Sequence, residues 1–190
     1  AILQPPFFDP NADDAINYGG IGGVIGHEMS HGFDDQGCQF DKTGNQNNWW
    51  TAADKANFDK RTKALADYFS TVEVLPGVKI NGKQTLGENI GDNGGLNIAL
   101  QALQNEMKEK DLGVIDGFTP EQRFFLNWAR VWASNATPQV VDYLVKVDVH
   151  SPNKARVNAA LPQIDAWYKA FNVKKGDKLF IPKNKRAHVW

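Results

Sequence analysis

His27-Glu28-Met29-Ser30-His31 sets two imidazoles four positions apart, with a carboxylate directly after the first. On an α-helix, four steps of about 100° bring both histidines onto one face, one turn apart. Each can then offer a ring nitrogen to the same zinc ion. Glu28 is turned by about 100° from His27, so it can reach a water beside the metal but is poorly placed to join the ligand face. A zinc hydrolase needs this division: side chains that fix the metal, and a separate base for the attacking water. The competing reading is a solvent-facing helix that happens to carry two histidines.

A zinc site of that kind requires a third protein ligand and one open position. A metzincin would carry glycine three residues after the second histidine and a further histidine three residues beyond that. Asp34 and Gly37 stand there instead. The glutamate that zinc aminopeptidases place further along is replaced here by Trp50. The remaining candidate is Glu88, within GENIGDNGG at 87–95. Glu88 and Asp92 lie four apart and share a helix face. One could bind metal while the other orients a ligand histidine through its far ring nitrogen. Yet TLGE at 85–88 is also a capping box, in which Glu88 would satisfy the helix start and touch no metal. Spacing alone leaves both open.

Composition narrows the class. A length of 190 residues suits one domain, or two small ones sharing a core. With 42% hydrophobic residues, six Trp and eleven Phe, a packed interior is well supplied. The 21 basic and 22 acidic residues nearly cancel, which argues against nucleic acid or an anionic membrane as the main partner. No apolar run approaches the roughly 18 residues of a membrane span. The opening AILQPPFF, without an initiator Met, reads as a cut inside a longer protein. The single cysteine, Cys38, excludes an internal disulfide and is expected to be a small buried apolar group.

Along the chain, three prolines in 1–12 imply irregular structure, after which Asp13 or Asp14 can cap a helix to about Gly32. Its five glycines each cost about 1 kcal/mol relative to alanine. No Gly-Lys-Ser/Thr follows, so a phosphate loop is excluded; close approach by another backbone is the better account. Turns and short extended pieces fill 33–50. Thr51 then caps a helix whose Phe58, Thr62, Leu65 and Phe69 form one core-facing stripe. A short hairpin is expected over 72–80, broken by Pro76-Gly77. A third helix spans about 85–110, and a fourth starts at the capping box of Thr119-Pro120-Glu121-Gln122. A shorter helix follows Pro138, a last one covers 162–171, and the Lys-rich tail is irregular.

Four blocks together resemble the neprilysin family of zinc metallopeptidases, which includes bacterial PepO-type endopeptidases. They are NYGGIG at 17–22, VIGHEMSHGFDD at 24–35, TLGENIGDNGG at 85–95 and DVHSP at 148–152. The resemblance implies a mainly α (α+β) fold: a thermolysin-like zinc-peptidase catalytic subdomain with a few short strands. Residues 1–190 would then be the C-terminal catalytic portion of a longer enzyme, the upstream helical domain being absent. It further implies one zinc ion on His27, His31 and Glu88, with Glu28 as general base and Asp92 orienting His27. His150, held by Asp148, would hydrogen-bond the oxyanion, and Arg156 would bind a substrate carbonyl. Ile2, Phe7, Val24, Val131 and Trp132 match the pocket for the side chain after the scissile bond.

The expected partners are oligopeptides and the missing N-terminal portion, with self-association of the isolated piece through its exposed seam. An extracytoplasmic location is expected by analogy. Two departures stand out. Gly23 replaces a methionine usual in animal relatives, which would leave the pocket roomier or differently closed. The family's terminal Cys-x-x-Trp reads AHVW at 187–190, so disulfides of the animal type cannot form and a bacterial origin is suggested. The alternative to an endopeptidase is a zinc-binding fragment without turnover.

Overall fold

In a computed structural model of the chain, which describes residues 2–189, the longest helix is α4 (Leu86–Glu109). Residues 89–96 of α4 are buried without interruption. A helix covered on every side is the central wall of a core rather than its rim. Two apolar clusters lie against it. One joins Leu96, Leu100 and Leu103 of α4 to Phe124, Phe125 and Trp128 of α5 (Pro120–Val131) and to Ile164. The other joins Ile90 to Phe58, Leu65 and Phe69 of α3 (Ala52–Phe69), to Ile80, and to Ala187 and Val189 of the tail.

The metal-motif helix crosses this wall. Its turns run as α1 (Asp14–Asn17), a π-helical segment Tyr18–Gly22, α2 (Gly23–Ser30) and a 3₁₀ turn His31–Phe33. The glycine-rich stretch is where other chain segments come closest. A Cβ on Gly26 would lie 2.8 Å from the Gly95 backbone, and one on Gly95 would lie 2.6 Å from the Gly23 carbonyl oxygen. Real Cβ atoms do not approach so closely, so α2 and α4 touch backbone to backbone only because both positions lack side chains. Gly95→Ala should therefore push the helices apart and cost about 1–3 kcal/mol. Thermal unfolding and a metal titration of the variant would check this. An unchanged melting temperature would show the contact is not tight.

Most elements follow the sequence reading. Thr51 and Thr119 cap α3 and α5, the latter through a complete capping box. The predicted stripe of Phe58, Thr62, Leu65 and Phe69 is buried, as is Cys38. The hairpin forms from β1 (Glu73–Leu75) and β2 (Val78–Lys79), and the expected shorter helix is α6 (Pro138–Val147), with Pro138 as its first residue. Mainly α with short strands is the observed class.

Three local readings need correction. Asp13 does not cap α1 with its side chain; its carboxylate is gripped by Arg123, Nε at 2.8 Å and Nη2 at 3.0 Å. The last helix is not continuous over 162–171. A 3₁₀ turn (Leu161–Gln163) gives way at the extended Ile164, and α8 covers Asp165–Ala170. The break places Gln163 Oε1 to accept from the Ala187 amide at 2.7 Å, which ties the tail to the core. A helix α7 (Asn153–Asn158) follows Pro152, too short at six residues to leave a periodic trace. The space beside Gly23 is closed by the Trp128 ring, 2.9 Å from where a Cβ would stand, so it is filled rather than roomier. The pattern at 187–190 ends on Trp190, outside the described residues.

Candidate metal centre

Three ligand-type side chains converge where α2 crosses the first turn of α4. Among the described residues, His27, His31 and Glu88 form the group whose donor atoms all lie within 4.8 Å of one another. The four-residue spacing puts the two imidazoles edge to face, with centroids 4.7 Å apart. Glu88 comes from the far element, its Oε2 at 3.1 Å from His27 Nε2 and 3.7 Å from His31 Nε2. The capping box that competed for Glu88 is not formed. Thr85 has φ −96° and ψ 11°, outside the extended region an N-cap needs, and makes no capping bond. Its hydroxyl donates instead to the Asn81 carbonyl and accepts from Asn89 Nδ2 at 2.9 Å.

Each histidine is oriented through its other nitrogen. His27 Nδ1 lies 2.9 Å from Asp92 Oδ1, and His31 Nδ1 lies 2.7 Å from Asp34 Oδ2. Both carboxylates are buried, with Asp92 at 1% exposure. These contacts put the Nδ1 protons toward the carboxylates and leave both Nε2 atoms to face Glu88, a common arrangement for metal-ligating histidines. Asp34 also accepts from the backbone amides of Gln36 and Gly37, which fixes the turn after His31. The sequence reading passed over Asp34. The signal was there in a carboxylate three residues past a candidate ligand histidine.

Asp92 is held in turn. Arg156 donates Nε to its Oδ2 at 2.9 Å and Nη2 to its Oδ1 at 2.6 Å, a two-pronged grip on a buried carboxylate. The guanidinium lies on the Trp132 ring, 3.8 Å from the centroid, and the Arg156 carbonyl accepts from Trp128 Nε1. Gly91 lets the His27 ring lie flat on α4, since a Cβ there would stand 2.8 Å from ring atoms. Arg156 and Trp132 are thus part of the support of the histidine cluster.

His150 reaches the cluster from the loop after α6. Its Nε2 is 3.2 Å from Glu88 Oε2 and its Nδ1 is 2.8 Å from Asp148 Oδ1. Asp148 also accepts the His150 amide at 2.9 Å. Glu28 sits on the exposed side of α2 beside His27. Of the pocket candidates, Phe7, Val24, Val131 and Trp132 are half-buried, whereas Ile2 is exposed. The Phe7 carbonyl accepts from the Ile21 amide at 2.7 Å, which ties that strand of chain to the motif helix.

Electrostatics follow from this crowding. Burial alone would lower the His27 pKa, but the adjoining carboxylates of Asp92 and Glu88 override it and raise it to about 9. Burial pushes Glu88 and Asp92 up, yet surrounding imidazoles and, for Asp92, Arg156 hold both below the usual carboxylate range. Asp148 is likewise pushed up by burial and held low overall by His150. A metal at this centre would compete with protons for the same ring nitrogens.

The donor set fits zinc. Glu88 Oε2 is a buried carboxylate oxygen without a hydrogen-bond partner, despite three imidazole nitrogens around it. A buried anionic oxygen ringed by imidazole nitrogens is a place where a cation is well accommodated. Two imidazole nitrogens and one carboxylate oxygen match the His₂Glu set that holds catalytic zinc.

Residues 1–187 match peptidase family M13. Neutral endopeptidase of Lactobacillus helveticus is 43% identical over 190 residues, all of this chain and 27% of that protein. Neprilysin of Homo sapiens is 40% identical over 195 residues, again all of this chain and 26% of the relative. The chain therefore spans about a quarter of the length of these relatives. Among solved structures, zinc metalloprotease ZMP1 of Mycobacterium tuberculosis, in complex with an inhibitor, has a TM-score of 0.95 at 46% identity, over 98% of this chain and 29% of that one. PepO from Lactobacillus rhamnosis gives 0.86 at 40% identity, over 97% of this chain and 28% of its own.

Proposed function

Because the chain belongs to peptidase family M13, we propose that it is the C-terminal catalytic portion of a zinc endopeptidase that hydrolyses oligopeptides. The observation that carries this reading is the convergence of the Glu88 carboxylate on two histidines whose far nitrogens are already committed. His27, His31 and Glu88 would hold one zinc ion. When bound, zinc supplies Lewis acidity and lowers the pKa of a water from 15.7 toward about 7.

The side chains do the rest. Glu28, exposed beside the ligands, takes a proton from the attacking water and hands it to the departing amine nitrogen. Asp92 and Asp34 keep the two ligand imidazoles in one tautomer. His150, with Nδ1 turned to Asp148, directs Nε2 toward the carbonyl oxygen that gains charge. Arg156 spends Nε and Nη2 on Asp92, so Nη1 is its group for a substrate carbonyl. Phe7, Val24, Val131 and Trp132 would line an apolar pocket and favour apolar residues after the scissile bond.

Ile25 and Met29 of α2, and Val140, Leu144 and Val147 of α6, are exposed apolar side chains that would meet the remaining polypeptide. In the isolated chain the same side chains would favour self-association. No helix among the described residues is long and apolar enough to cross a membrane. An extracytoplasmic parent protein is part of the proposal.

The direct test is peptide cleavage by the full-length protein with and without a chelator. Activity that disappears on metal removal and returns with zinc supports the reading. Stoichiometric zinc without turnover would make this a binding module instead. His150→Ala should retain zinc and lose about 100- to 1000-fold in kcat, the scale of one oxyanion donor. Steady-state kinetics beside metal analysis separates that outcome from simple loss of the ion.

A further inference from the structure

His150 is exposed, and its side chain alone could not hold a fixed place opposite the cluster. The loop that carries it is nevertheless tied down on both sides by one short stretch around the start of α4. Before His150, the Asp148 carbonyl accepts from Gln84 Nε2 at 2.8 Å. After it, Ser151 donates its hydroxyl to Asn89 Oδ1 at 2.8 Å. Ser151 and Asn89 are each only 2% exposed. Asn89 is itself locked, since its Nδ2 donates to Thr85 Oγ1 at 2.9 Å and so turns Oδ1 toward Ser151. Asn89 is the neighbour of Glu88 in the chain, and Ser151 is the neighbour of His150. One buried hydrogen bond thus joins the backbone that carries a candidate metal ligand to the backbone that carries the candidate oxyanion donor.

We propose that Ser151 and Asn89, seconded by Gln84, are positioning residues that set the distance of His150 from the metal cluster. The proposal rests on the reading of His150 given above. A buried pair holds geometry because either partner, left alone, keeps an unsatisfied polar group away from water. Placement is worth much in this setting: a displacement of about 1 Å at a reacting group can cost about 100-fold in rate.

The test uses the full-length zinc-loaded protein. Ser151→Ala should lower kcat about 10- to 100-fold, with KM and zinc content unchanged. Gln84→Ala alters a half-buried side chain outside the apolar core and should lower kcat less, about 3- to 10-fold. Each change should add no further loss in a His150→Ala background, because a residue that acts only through His150 has nothing left to position. In the metal-stripped protein, amide exchange across 148–151 should accelerate in Ser151→Ala, a readout independent of turnover. Losses that multiply with that of His150→Ala, a fall in zinc content, or unaltered kcat would overturn the positioning role. Full turnover by His150→Ala alone would instead sink the functional reading, and this inference with it.

Discussion

Replacing Glu28 by glutamine in the full-length protein should leave one zinc per chain and the melting temperature in place while removing nearly all peptide cleavage. The side chain is exposed and belongs to neither apolar cluster, so stability should move by no more than about 0.5 kcal/mol. Nor does Glu28 belong to the group whose donor atoms converge, so metal content should hold. What glutamine cannot do is accept the proton of the attacking water. A positioned general base contributes about 100- to 10,000-fold, and the variant's kcat should fall at least that far. Metal analysis and steady-state kinetics on one preparation would decide the matter. Cleavage at the wild-type rate would mean that the chemistry assigned to the motif is wrong.

Asp92→Ala should do the reverse and damage the scaffold. The carboxylate is 1% exposed and is shared by His27 and by both prongs of Arg156. Its removal strands a buried guanidinium and frees the His27 ring to turn. Breaking a buried ion pair by deleting one partner costs about 3–5 kcal/mol. Loss of a carboxylate behind a ligand histidine weakens metal binding about 10- to 100-fold. For a chain of this size, that stability loss corresponds to a drop in melting temperature of roughly 10 °C. Calorimetry and a competitive zinc titration are the measurements. A variant that matched the wild type in both would remove Asp92 from the support of the site.

These two residues also mark how far the sequence could be read. Glu28 is interpretable in isolation, because a helix fixes its direction relative to His27 and His31 through local geometry alone. The same holds for the α3 stripe and for the caps at Thr51 and Thr119, whose partners lie within a few residues. Asp92 could be suspected of orienting a histidine, but the two-pronged hold of Arg156, 64 positions away, leaves no periodic or spacing signal. A six-residue helix such as α7 is equally silent, being shorter than the window in which helical periodicity shows.

Glu88 is the instructive case. Four residues of sequence supported two incompatible roles, a helix cap and a metal ligand. The cap is excluded by the backbone of Thr85, which is not extended, and by the hydroxyl of Thr85 being engaged with Asn81 and Asn89. That left the carboxylate to face the histidines.

The motif, the helical periodicity and the four family blocks were sufficient to determine the mainly α class, the family and the pair of histidines on one helix face. All of these depend on contacts between residues close in sequence, or on patterns that survive without coordinates. Tertiary structure alone decided where Glu88, Arg156 and the Ser151–Asn89 link come together. The meeting of Glu88 with the two histidines requires α2 and α4 to approach until Gly26 and Gly95 touch backbone to backbone. Such an approach is a property of packed volumes and not of sequence spacing.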